Sequence, residues 1–117
     1  MGPMGNAPVI HRVFTAVSDA GTGLASTEHG SGGRKYLGYQ YWNDGGGGSI
    51  DAVSIKMQVK LDVNADWVDV SDSAMTGVGG GLFIVPLPMP TARARLYLSS
   101  LTVTSPATVG AVLAFYD

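Results

Sequence analysis

The chain has 117 residues, of which 14% are charged, with a formal net charge of −2 and no cysteine. That length closes one two-layer core and not two, the charge leaves no basic footprint for nucleic acid, and the lack of cysteine excludes a disulfide framework and thiolate chemistry. Seventeen glycines and so few charges are unusual for a free domain, in which about a quarter of residues are charged, so part of the surface is expected to be covered by another chain.

Residues 1–8 hold two prolines and two glycines with no periodic pattern and read as an extended arm preceding a single domain over residues 9–117. The opening residues carry neither a basic segment nor a long apolar run, so no signal peptide is expected. Pro3 and Asn6 argue against myristoylation of Gly2. No apolar run is long enough to span a bilayer, so no membrane partner is expected. Residues 9–17 (VIHRVFTAV) form a first strand with apolar side chains on both parities, the pattern of a strand covered on both sides. Residues 18–33 are small and polar and read as a long loop suited to partner contact. Residues 34–43 (RKYLGYQYWN) form a second strand, with Leu37, Tyr39 and Tyr41 on one face and Tyr36, Gln40 and Trp42 on the other; Gly38 suggests a bulge. The run 43–48 (NDGGGG) then turns the chain.

The organising stretch is 49–61 (SIDAVSIKMQVKL). Val53, Ile55, Met57, Val59 and Leu61 share one parity, and Ser54, Lys56, Gln58 and Lys60 the other, as in a strand with one dry and one wet face. A one-residue slip would bury two lysines, so the register is fixed and a second layer must cover the dry face. Residues 62–66 turn the chain, and 67–70 make a short strand that closes a hairpin through a Trp-x-Asp pattern. Residues 71–81 read as a flexible connection. The strand 82–85 is cut off by Pro86, Pro88 and Pro90, which belong at an edge or a crossing between sheets. Ala92, Ala94, Leu96 and Leu98 then alternate with Arg93, Arg95 and Tyr97; the phase breaks at Ser99-Ser100, where a bulge is the simplest explanation. In the last strand Val109, Ala111, Leu113 and Phe115 share a face, while Val112 and Tyr116 take the other, again as if covered on both sides. Seven or eight short strands with no helical period predict an all-β fold, an antiparallel β-sandwich or jelly roll.

Little in the chain carries chemistry. His11 lies in an apolar strand and His29 beside Glu28 in a glycine loop, and each reads as structural or solvated rather than catalytic. There is no nucleophile elbow, no His/Cys metal set and no phosphate-binding glycine motif. Asp62, Asn64 and Asp66 imitate the opening of a calcium loop, but Trp67 and Ser73 stand where glycine and glutamate are required, so a solvated acidic turn is expected, the alternative being a calcium site of another geometry that adds Asp69 or Asp72. No catalytic residue, metal or cofactor is therefore expected. Tyr36, Tyr39, Tyr41, Trp42 and Trp67 read chiefly as core and cross-strand packing. The alternative is a carbohydrate-binding module in which Tyr41, Trp42 and Trp67 stack on the sugar rings of a host-surface glycan. Arg93 and Arg95 project together, either as a solvated face or as an ion-pairing contact with an adjacent chain.

From residue 49 onward the order is an alternating strand, a polar turn, Trp67-Val68-Asp69-Val70, a glycine connection, a strand with prolines, Ala92-Arg93-Ala94-Arg95-Leu96-Tyr97-Leu98, and a terminal Gly110-Ala111-Val112-Leu113-Ala114-Phe115-Tyr116. Over about the last 70 residues this pattern resembles small β-sandwich structural proteins of tailed-bacteriophage virions. The resemblance implies a virion location, a capsid decoration, spike or tail role without catalysis, and partners that are copies of the chain, as a trimer or higher oligomer, and other virion proteins such as the major capsid protein. With the arm and loops as contact elements, the expected subunit contacts are Pro3, Met4, Pro8, Val9, Leu24, Arg93 and Arg95.

Overall fold

The structure, a computed structural model, describes residues 8–18, 23–86 and 92–117. The described residues contain nine strands: β1 (Val9–Val17), β2 (Leu24–Ala25), β3 (His29–Gly30), β4 (Tyr36–Asn43), β5 (Ser49–Lys60), β6 (Val68–Asp69), β7 (Gly81–Pro86), β8 (Arg93–Thr104) and β9 (Val109–Tyr116). They form two sheets, the first in the order β1-β9-β4-β7 and the second in the order β2-β8-β5-β6, with β3 also paired to β8. Every pairing is antiparallel. The result is the two-layer antiparallel sandwich that the alternation demands.

The core lies between the layers. Leu37, Tyr39 and Tyr41 of β4 and Val109, Ala111, Leu113 and Phe115 of β9 face Val53, Ile55 and Met57 of β5 and Ala94, Leu96 and Leu98 of β8. The phase break in β8 is a bulge: Ser54 pairs with Ser100 but Ile55 with Leu98, so Ser99 is the extra residue, and Leu101 returns to the core at 2% exposure. A second shift, between the Ile50 and Ala52 pairs, lets Ile50 share the core with Val53 despite the opposite parity.

Four expectations are corrected. The stretch 18–33 is not all loop: β2 and β3 lie along β8, and Ser26 and Ser31 bond to it, with Ser26 N–H donating to the Leu96 carbonyl at 2.9 Å and Ser31 N–H to the Ala92 carbonyl at 3.0 Å. An edge of a central strand needs backbone partners, and small polar residues supply them as well as a long strand would. Gly38 marks no bulge, since β4 runs in unbroken register with both neighbours; a Cβ there would lie 2.9 Å from the Phe83 carbonyl oxygen, so it is the close approach of β7 that requires glycine. Leu61 stands beyond the end of β5 and is 55% exposed, because the turn at 62–66 carries it away from the second layer. Residues 71–81 are tethered rather than flexible. Met75 bridges to Ile55 in both directions (2.8 and 3.1 Å), the buried Ser73 hydroxyl accepts from Met57 N–H at 3.1 Å, and the Tyr39 and Tyr41 hydroxyls donate to the Ser73 and Gly77 carbonyls. Burial drives the pKa of both phenols upward, keeping them protonated donors.

Candidate functional site

With the core closed, function rests on the two outer faces and the rim between them. The outer face of the second sheet is polar, as an antiparallel layer with one solvated side should be. Arg93 Nε donates to Glu28 Oε1 at 2.7 Å, Lys60 Nζ stands 3.8 Å from Glu28 Oε2, and Lys56 Nζ donates to Asp69 Oδ2 at 2.8 Å. Gln58, expected on the wet side, is buried beneath this network, donating to Asp69 at 2.9 Å and accepting from Arg95 Nε at 2.9 Å. The Lys56 and Gln58 bonds hold the Asp69 carboxyl below its usual pKa. Trp67 is flanked by two cations, the Arg95 guanidinium 4.4 Å and the Lys60 ammonium 4.6 Å from its ring centre. Contacts of this kind are worth about 0.5–1 kcal/mol each at exposed sites and chiefly fix side-chain direction. Arg93 and Arg95 are thus both engaged within their own chain.

The outer face of the first sheet is the opposite in character. The register that sends Phe115, Leu37 and Val85 inward sends Tyr116, Ala114 and Val112 of β9, Tyr36, Gly38 and Gln40 of β4, Leu82, Ile84 and Pro86 of β7 and Ile10 of β1 outward. Ile10, Leu82 and Ile84 are 61%, 58% and 55% exposed. Gly38 and Ala114, the small residues at its middle, leave an apolar hollow of about 150 Å³ walled by Ile10, Ile84, Leu82 and Tyr116. At one end Arg12 lies over the Trp42 ring (4.9 Å) and pairs with Asp44; at the other, Tyr36 and Tyr116 stack with ring centres 5.5 Å apart. The double-sided pattern read in β1 and β9 has its physical basis here. In β7 the run Leu82-Phe83-Ile84-Val85 carried the same signal, apolar on both parities in an edge strand.

The residues considered for glycan stacking do not form one platform. Tyr41 is a correction: its parity turns it into the core, where it is 1% exposed and offers no ring face. Trp42 and Trp67 lie on outer faces of opposite sheets, each covered by a cation. Of the expected contact residues, Val9 and Leu24 are partly exposed on β1 and β2, Pro8 is exposed, and Arg93 and Arg95 are on the second sheet; Pro3 and Met4 lie outside the described residues. The described ones do not share a face. Glu28, which joins Arg93 and Lys60, was not legible in sequence, being 65 residues from the arginine it meets. Asp62 accepts from Asn64 N–H at 2.9 Å in a local acidic turn, and among the described residues no group of three or more His, Cys, Asp or Glu is placed to hold a metal ion.

At the rim, His11 of β1 stacks on His29 of β3 with ring centres 3.7 Å apart and planes 12° from parallel, Phe115 packing edge-on to His11. Thr27 Oγ1 is 3.2 Å from His29 Nε2, and beside them Glu28, which precedes His29 in the chain, pairs with Arg93 of the neighbouring β8. Burial, then the His11 ring, then Arg93 disfavour the imidazolium and lower the His29 pKa. The unfolded chain therefore takes up this proton at higher pH than the folded one. Stability is whole above about pH 6.5 and is lost as pH falls from there toward the lowered folded value. Urea midpoints measured from pH 8 to pH 5 are expected to fall across that window and to fall less in His29→Gln; equal slopes would show that the stacked pair carries no such linkage.

No protein-family description matches the sequence, and no curated protein sequence matches it. Among solved structures, the crystal structure of the SPBc2 prophage-derived protein YomS is similar, with a TM-score of 0.64 over 99% of this chain and 100% of that one, at 14% identity. The chain shares its fold with a prophage-derived protein.

Proposed function

We propose that the chain is a non-enzymatic structural subunit of a bacteriophage virion, a capsid-associated decoration or spike subunit working through contacts with its own copies and with other virion proteins such as the major capsid protein. The observation that carries this reading is the largely apolar outer face of the first sheet, on a sandwich whose fold is shared over 99% of the chain with a prophage-derived protein. The mechanism is burial. Each apolar side chain withdrawn from water on assembly contributes about 1.5–3 kcal/mol, and repeated contacts around a particle supply avidity that one small patch lacks.

The contact elements, in this reading, include the segment that leads into β1. Deletion of residues 1–8 is expected to abolish incorporation into particles, read by mass spectrometry of purified virions, while circular dichroism of the isolated chain keeps its β signature. Unchanged incorporation would remove the arm from the mechanism.

A further inference from the structure

We propose that the outer face of the first sheet is the surface through which two copies of this chain meet. An antiparallel sandwich normally leaves both outer faces wet, and the second sheet here does so with Lys56, Lys60, Arg93 and Arg95. The first does not: across β1, β9, β4 and β7 the outward positions hold a single ionic side chain, Arg12, already paired with Asp44 at one end.

Size supports an interface. Four strands about 4.8 Å apart, each running for some six residues at about 3.3 Å with every second side chain outward, make a face of roughly 400 Å² in plan, and side-chain relief raises its accessible area further. That plan is comparable to the largest apolar patch of an ordinary monomer, about 300–600 Å² and often functional, and is about half of the roughly 800 Å² per partner that a stable pair buries, so the rim of the face must join the contact. The anatomy agrees, since interfaces have an apolar centre with aromatic and arginine residues toward a polar rim; here Ile10, Leu82 and Ile84 surround the hollow while the Tyr36–Tyr116 stack and the Arg12–Trp42 pair close the ends.

Charge selects the occupant. A face without free charge has nothing to answer an acidic or basic partner, and the surface that matches it must itself be broad, apolar and without free charge. The chain presents such a surface in this same face, and two sheets packed face to face at about 10 Å are an ordinary arrangement. The inference names the partner of the face used in the virion reading and rests on that reading only for its setting. Its test is made on the purified chain alone, so its failure and a failure to enter particles are separate results.

Sedimentation equilibrium of the full chain between about 1 and 100 μM is expected to show assembly with a dissociation constant below about 10 μM. Ile84→Asp and Leu82→Glu, both solvent-directed on an edge strand, are expected to weaken it by about tenfold or more with unchanged circular dichroism, while Thr102→Asp on the other sheet leaves it intact. Hydrogen exchange on the unaltered chain gives a reading independent of the variants: protection of β1 and β7 is expected to rise with concentration, and that of β6 is not. A monomer at 100 μM, assembly unmoved in both folded variants, or concentration-dependent protection confined to β6 would each overturn the proposal.

Discussion

Leu96→Ala is expected to lower the stability of the chain by about 2–5 kcal/mol, a large part of the roughly 5–15 kcal/mol that holds a domain of this size together. Leu96 is fully buried, stands opposite Met57 in the ladder, and belongs to the core between the two layers. Neither neighbouring strand can close the vacancy, because each is pinned by its own ladder. Leu61→Ala, on a residue of the same type that stands 55% exposed past the end of β5, is expected to cost within about 0.5 kcal/mol. Urea unfolding of the two variants side by side measures the contrast, and a loss below about 1 kcal/mol for Leu96→Ala would mean that the layers do not meet as described.

The second large effect is at a glycine. Residues 45–48 look alike in sequence but do two different jobs. Gly46 and Gly47 take positive φ (58° and 78°) and face open space or only the Pro106 ring, whereas a Cβ on Gly48 would collide with the Thr104 carbonyl oxygen and the Ala107 amide, and one on Gly45 with the Pro106 carbonyl oxygen. The colliding atoms are backbone and have no rotamer to change. Gly48→Ala is therefore expected to cost about 3 kcal/mol or more, at or beyond the upper end of ordinary overpacking, and Gly46→Ala only about 1 kcal/mol, the penalty of a left-handed residue with room around it. Thermal and urea midpoints of the pair check this ordering; equal losses would show that the β4–β5 turn does not approach the β8–β9 turn.

The sequence showed a good deal of this architecture, and the physical reason is periodicity. Wherever a long strand has one face on the core, as in residues 53–57, 92–98 and 109–115, alternation marked both the strand and its buried face, and even the bulge at Ser99 was legible as a break in phase. What stayed hidden were interactions without a period. Two-residue strands such as Leu24–Ala25 are set by the bonding needs of β8 rather than by their own side chains, and the tether of 71–81 depends on Tyr39 and Tyr41 reaching it from another part of the chain. The candidate surface was half visible. Apolar residues on both parities of β1 and β9 pointed to double cover, but only the sheet order places Ile10, Val112, Leu82 and Ile84 on one side.

The inserted residue at Ser99 has a consequence for how this fold tolerates changes in chain length. Up to Leu98 the buried side chains of β8 are even-numbered, and from Leu101 they are odd-numbered, so the notch converts one counting scheme into the other. Loss of Ser99 alone straightens the ladder and leaves every pair in place, Ser100 opposite Ser54 and Leu101 opposite Val53, so Leu101 and Val103 stay seated. Anywhere else along the strand a change of one residue turns the segment beyond it over, and only a change of two keeps the seating. Away from the notch, insertions and deletions are thus quantised in pairs, whereas the notch itself can be lost singly and the turns at either end carry no such parity.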